Sequence, residues 1–214
     1  MHVVITGANR GVGLALCETY AARGARVTGT SRDGSTGHRL DVADPAAHRA
    51  LAARLDGQAV DLLVCNAGVF LDKAQDLAGG YPPEMWAESF AVNVTGVFLG
   101  VQALLPNLRM AESARIAIIS SQMGSDTRAP GGSYIYRASK AAALNLGRNL
   151  AADLKAMGIA VGIYHPGWVR TDMGGSSAEI TMDAAARGLA ARFDALSLGT
   201  TGEFLTWDGR VHPY

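Results

Sequence analysis

Short apolar runs that end on small, turn-forming residues alternate with helical stretches along almost the whole chain, and few folds accommodate that order. The strand candidates are "HVVIT" (2–6), "ARVTGTS" (25–31), "DLLVCNAG" (61–68), "ARIAIISS" (114–121) and "GIAVGIYHPG" (158–167). They are apolar enough to be buried on both faces, as strands of a parallel sheet are. Between them, "LALCETYAARG" keeps apolar residues at helical spacing until Gly24, and further helices are predicted at Pro45–Leu55, Pro83–Leu108, Ser133–Met157 and Thr181–Leu196, with a last strand at 203–206. The alternation predicts an α/β fold: an open, doubly wound parallel sheet with helices on both faces.

Only about eight residues, Thr30 to Gly37, separate the second strand from "HRLDV", and they are rich in Gly, Ser and Thr. A parallel crossover with a helix needs at least ~10 to 12 residues. The helix between strands 2 and 3 is therefore expected to be shortened or absent in an otherwise Rossmann-like sheet. With 214 residues, 49% of them hydrophobic, the chain can bury one sizeable core, and residues 1–214 are expected to form a single domain.

Nineteen basic and nineteen acidic residues cancel without blocks of like charge, so neither a nucleic acid nor an anionic membrane would find an electrostatic footprint. Cys17 and Cys65, the only cysteines, lie in apolar runs and read as small buried side chains, which suits a reducing compartment. No apolar run approaches the ~20 residues of a membrane span and no leader pattern is visible, so a cytoplasmic protein is expected. His38 and His165 have no second ligand at metal-site spacing, and no metal is predicted.

"TGANRGVG", Thr6 to Gly13, falls where the first strand turns into the first helix. There a tight turn can bring backbone N–H groups and a helix N-terminus against a diphosphate, although the spacing departs from G-x-G-x-x-G and glycines also serve simple turns. At the end of the second strand the chain reads Gly29, Thr30, Ser31, Arg32, without the acid that usually holds a ribose 2′-hydroxyl at this point. Ser31 can donate a hydrogen bond and the Arg32 guanidinium can pair with a 2′-phosphate, while Arg10 offers a second positive charge. Asp33 complicates this reading, and Arg32 as a mere surface residue remains its rival.

"GGSYIYRASKAAALNL" (131–146) opens a helix with Tyr134 and Tyr136, and Lys140 follows. Lys140 is one helical turn after Tyr136 and on its face, but six residues from Tyr134. A phenol of ordinary pKa near ~10 is a poor acid at pH 7, and a neighbouring ammonium together with the positive charge of an oxidised cofactor would lower it. Tyr136 is thus the better proton donor, and Tyr134 a packing or pocket-lining residue. With three lysines against sixteen arginines in the chain, the Lys at this spacing is not a general preference of the sequence.

These motifs resemble the short-chain dehydrogenase/reductase family: T-G-x-x-x-G-x-G at Thr6–Gly13, N-A-G at Asn66–Gly68, Y-x-x-x-K at Tyr136–Lys140 and P-G at Pro166–Gly167, in family order. Within it, "SSQMGS", "HPGWVRTDMGG" and "GEFLTWDGRVHPY" look most like the small, carbonyl-reductase-like C-factor group. The resemblance implies NADP(H) as cofactor and a small-molecule carbonyl substrate. It implies cofactor contacts from Gly7, Asn9, Arg10, Gly11, Val12 and Gly13, from Ser31 and Arg32, and from Asp41 and Val42 around the adenine. Asn66, Ala67 and Gly68 would lie along the cofactor, with Tyr136, Lys140, Pro166, Gly167, Val169 and Thr171 completing the site. It also implies a catalytic set of Asn93, Ser121, Tyr136 and Lys140, with Ser120 and Ser125 as rivals for Ser121. Asn93 would help hold a water that links Lys140 to solvent, although an Asn in a helix is by itself usually a kink or a satisfied polar group.

The reaction expected is reduction of an aldehyde or ketone by hydride transfer. The segment after "PGWVRTDM" is short, and a pocket framed by Tyr134, Met123, Trp168 and Met173 suits a medium-sized apolar substrate. A second class stays open, an NADP(H)-binding sensor or signalling protein with little turnover. The family would imply a homodimer through the long helices, and the sequence is also compatible with a monomer.

Overall fold

A computed structural model describes residues 1–214. Seven strands form one sheet in the order β3-β2-β1-β4-β5-β6-β7, every neighbouring pair parallel. They are β1 (His2–Thr6), β2 (Arg26–Ser31), β3 (His38–Arg39), β4 (Leu62–Cys65), β5 (Arg115–Ile119), β6 (Ala160–His165) and β7 (Phe204–Thr206). β1 and β4 are buried over their whole length, as strands covered on both faces must be.

The helices are α1 (Gly11–Ala22), α2 (Pro45–Arg54), α3 (Pro83–Phe90), α4 (Gly96–Arg109), α5 (Tyr134–Lys155) and α6 (Met182–Ala195). One face of the sheet carries Leu51 of α2, Val97, Val101 and Leu104 of α4, and Leu150 and Leu154 of α5. The other packs Leu16 and Tyr20 of α1 against Leu189 and Phe193 of α6. As expected from the short segment, no helix joins β2 to β3. The link turns through Gly34 and Gly37, both at left-handed φ, and β3 is only two residues long.

α3 and α4 are continuous through a π-helical turn at Ala91–Thr95, making one helix of 27 residues, Pro83–Arg109. By length and composition it is apolar enough to cross a membrane, which corrects the reading that no segment approaches that size. Its buried face is spent on the sheet, through Val97, Val101, Leu104 and Leu108. Of the two cysteines, Cys65 is buried as expected, whereas Cys17 is only half-buried; burial pushes their thiols up to about 12 and about 11, so neither is a ready nucleophile.

Candidate active site

Between β1 and β4 the strand order reverses, and a cleft of about 1480 Å³ opens at the carboxyl ends of β1, β4, β5 and β6. Open α/β sheets bind ligands at this point. Its first wall is the glycine turn. Gly7 and Gly11 adopt left-handed φ of 68° and 58°. A Cβ on Gly13 would stand 2.1 Å from the Gly7 carbonyl oxygen, so only glycine permits this approach of helix to turn. α1 then starts at Gly11 with no side-chain cap and no acid in its first turn, which leaves its first N–H groups and positive dipole end facing the cleft. These features fit a diphosphate.

Asn66 braces the turn. Its Nδ2 donates to the carbonyls of Thr6 and Gly7, both at 3.0 Å, while Thr6 Oγ1 accepts from the amides of Asn66 (3.0 Å) and Ala67 (3.1 Å). Ala67 and Gly68 line the cleft beyond it, as do Asn9, Arg10, Gly11 and Val12, and on the far wall Pro166, Gly167, Val169 and Thr171.

Ser31, Arg32, Asp41 and Val42 lie outside this cleft, at the carboxyl ends of β2 and β3. Ser31 is buried, and its hydroxyl accepts from the Thr36 amide at 3.2 Å, so it braces its own turn. Asp33 folds back onto the amide and hydroxyl of Ser35 (3.1 and 2.7 Å), which hold its carboxyl down at about 2. Arg32 is exposed. Arg10 turns away from that corner toward Asp172, at 2.9 Å, in an exposed ion pair that reaches across the cleft mouth. Val42 packs under Gly96, with Thr6 and Ala67 nearby.

The other end of the cleft gathers Ser121, Tyr136 and Lys140. Tyr136 and Lys140 share a face of α5, and both are buried, with the ammonium 5.7 Å from the phenol ring centre. Lys140 Nζ donates to the Ile119 carbonyl at 3.0 Å, and Ser120 Oγ donates to the Lys140 carbonyl at 2.9 Å, so the end of β5 is stitched to α5. Ser120 is thereby engaged, and Ser125 pairs with Thr127 at 2.8 Å. Ser121 Oγ accepts from the Met123 amide at 3.1 Å and stands beside the Tyr136 phenol.

Burial pushes the phenol up to about 12, opposed by the Ser121 hydroxyl and reinforced by the charge of Asp72. It pushes the ammonium down to about 8. Desolvation of both groups thus dominates this pair in the protein itself.

Asn93 lies in the π-helical turn. Its Oδ1 accepts from the Val69 amide (2.8 Å), and its Nδ2 donates to the Val69 carbonyl and the Ser139 hydroxyl (both 2.9 Å). Gly68 separates it from Lys140: a Cβ there would be 3.2 Å from Asn93 Oδ1 and 3.3 Å from Lys140 Nζ.

Tyr134, expected to line the pocket, is instead exposed at the first turn of α5 with its ring edge-on to Tyr81, 5.1 Å between centres. Phe70 takes the place proposed for it and stacks on Tyr136 with centres 4.2 Å apart. Met123, Trp168 and Met173 do line the cleft, joined by Lys73, whose ammonium donates to the Met173 carbonyl at 3.3 Å. Asp72 is the second residue that sequence reasoning missed. It is fully buried, and its carboxylate accepts from the amides of Ile135 (2.8 Å) and Tyr136 (3.2 and 3.3 Å). The only sequence signal for either was nearness to the N-A-G motif.

The sheet order, the glycine turn and the cleft at the switch point are those of a Rossmann-like, dinucleotide-binding class of fold. The family profile of the short chain dehydrogenases matches residues 1–181, and the chain belongs to that family. It is 35% identical over 167 residues to the C-signal of Myxococcus xanthus, covering 78% of this chain and 99% of that protein. It is 34% identical over 185 residues to the 3-oxoacyl-[acyl-carrier-protein] reductase FabG of Escherichia coli K12, covering 79% and 74% respectively. The crystal structure of an NADPH-bound carbonyl reductase from chicken fatty liver superposes with a TM-score of 0.91 at 32% identity, over 100% of this chain and 98% of that one.

Proposed function

We propose that this protein is an NADPH-dependent reductase that converts an aldehyde or ketone to the alcohol, with Tyr136 as proton donor. The observation that carries the reading is the convergence of Ser121, Tyr136 and Lys140 at one end of a cleft whose other end is a helix N-terminus shaped for a diphosphate. A bound reduced nicotinamide would supply the hydride for the carbonyl carbon. The chain's own residues do the rest. Ser121 and Tyr136 hydrogen-bond the carbonyl oxygen and stabilise charge as it develops there. The phenol, protonated at neutral pH, passes its proton to that oxygen. Lys140, protonated below about pH 8, stabilises the phenolate that remains and returns a proton to it. Asn93 holds Val69 and the π turn beside Lys140, which keeps that proton route open.

NADPH is favoured over NADH because Arg32, exposed at the end of β2, could pair with a 2′-phosphate, while Asp33 is drawn back into its own turn. The similarity to a carbonyl reductase solved with NADPH supports the same choice. Phe70, Met123, Trp168 and Met173 make the substrate end largely apolar.

The test is oxidation of NADPH, followed by absorbance, against a panel of aldehydes, ketones and quinones, with NADH in parallel. Turnover should require NADPH, and Tyr136→Phe should abolish nearly all of it while NADPH still binds. Retained turnover in that variant, or equal turnover with NADH, refutes the assignment. The likeness to the C-signal of Myxococcus xanthus favours one second reading, a signalling protein with little turnover. It prevails if NADPH binds and no carbonyl compound reacts.

A further inference from the structure

Ser133, which precedes α5, has a left-handed φ of 47° and makes no capping hydrogen bond with its side chain. α5 would therefore begin with unsatisfied donors inside the protein, a costly arrangement for a buried helix end. Asp72 supplies the missing acceptor from the loop after β4, 63 residues earlier in the chain. Its carboxylate takes the amides of Ile135 and of Tyr136 itself, and no cation pairs with it. A neutral serine or asparagine could accept such a bond just as well. The acid adds a negative charge beside the residue read above as proton donor.

We propose that Asp72 is a positioning residue for Tyr136: its carboxylate fixes the first turn of α5, and its buried charge favours the protonated form of the phenol. Reduction needs the phenol with its proton on, and oxidation needs the phenolate as base. A nearby negative charge disfavours the phenolate, as does the dry setting under Phe70. The other groups facing the ring are Lys140 from α5, its ammonium held by the Ile119 carbonyl, and the neutral Ser121 from the end of β5. His165, at the end of β6, lines the same cleft and is kept neutral by burial. Asp72 is the one acid hydrogen-bonded to the backbone of Tyr136, and removing its charge should move the phenol and leave the helix in place.

The inference rests on Tyr136 as proton donor, but its test needs no substrate. The full chain is prepared with 3-fluorotyrosine in place of tyrosine, which makes the phenols more acidic and brings their titration into a range where the protein stays folded. The ¹⁹F resonance of residue 136 is assigned by its loss in Tyr136→Phe. Asp72→Asn and Asp72→Ser both keep an acceptor for the α5 amides and drop the charge. The titration midpoint of residue 136 should fall by about one pH unit in each. An unmoved midpoint in a folded variant overturns the proposal even if Tm drops, because the acid would then be a helix cap and nothing more. Failure of both variants to fold overturns it too, since Asp72 would then serve folding. Absence of turnover on the carbonyl panel, by contrast, bears on the reductase reading and leaves the midpoint shift to be read independently.

Discussion

Arg32 is the side chain on which, in the function proposed above, cofactor choice turns. It is exposed at the end of β2, whereas Arg10, the other candidate cation, is engaged with Asp172. A charged hydrogen bond contributes roughly 1.5–3 kcal/mol, so Arg32→Ala should raise KM for NADPH by about 10- to 100-fold and leave KM for NADH nearly unchanged. Arg10→Ala should do less, since its exposed pairing with Asp172 already competes for the same charge. Steady-state kinetics with both cofactors checks this, and equal losses for NADPH and NADH would exclude Arg32 from phosphate recognition. The difference between what could and could not be read in the sequence is also clearest at single residues. Tyr136 and Lys140 were legible because one helical turn is a local relation. Asp72 and Phe70 were not, because each meets Tyr136 from the loop after β4, and no spacing rule spans that distance. The burial that pushes the phenol up was not legible for a related reason: the sequence displays the ammonium but not the packing around the ring.

At the scale of elements, the placing of Tyr136 and Lys140 beside Ser121 depends on how closely α5 meets the end of β5. The 3₁₀ turn Gln122–Gly124 lies against α5, and a Cβ at Gly124 would stand 2.6 Å from the Lys140 carbonyl carbon. Backbone cannot give way there as a side-chain tip can. Gly124→Ala should therefore destabilise the protein by about 1–3 kcal/mol, a Tm loss of roughly 2–12 °C, and lower kcat more than it raises KM. Thermal melting and kinetics on the same preparation test it, and an unchanged Tm would show that the contact relaxes freely. Helix ends were read to within a few residues, because the caps and breakers are local. The π turn around Asn93 was not legible as such. Within it Asn93 reaches across to Val69 and Ser139, tertiary bonds that no local pattern in the sequence displays.

For the molecule as a whole, buried histidines set the response to acid. Burial lowers the pKa of His2 and His48, and takes His165 down to about 4, its Nδ1 buried without a partner. As pH falls below about 6.5, the unfolded chain takes up protons that the folded one refuses, so stability declines with falling pH until the folded values are reached. His165 alone accounts for roughly 3 kcal/mol across that window. The urea midpoint should accordingly drop between pH 7 and pH 5 with little change in the slope m, and His165→Asn should flatten the dependence. A midpoint constant over that range would contradict the burial of these rings. The sheet, finally, ends differently from how it runs. β3 offers only two residues at one margin, and at the other β7 is bridged by the returning segment, Leu205 to Val211, with the His212 amide on the Phe204 carbonyl. Neither margin presents a long unpaired ladder, so a foreign strand finds nowhere to extend the sheet, and this protein should resist the edge-to-edge aggregation to which exposed β-structure is prone.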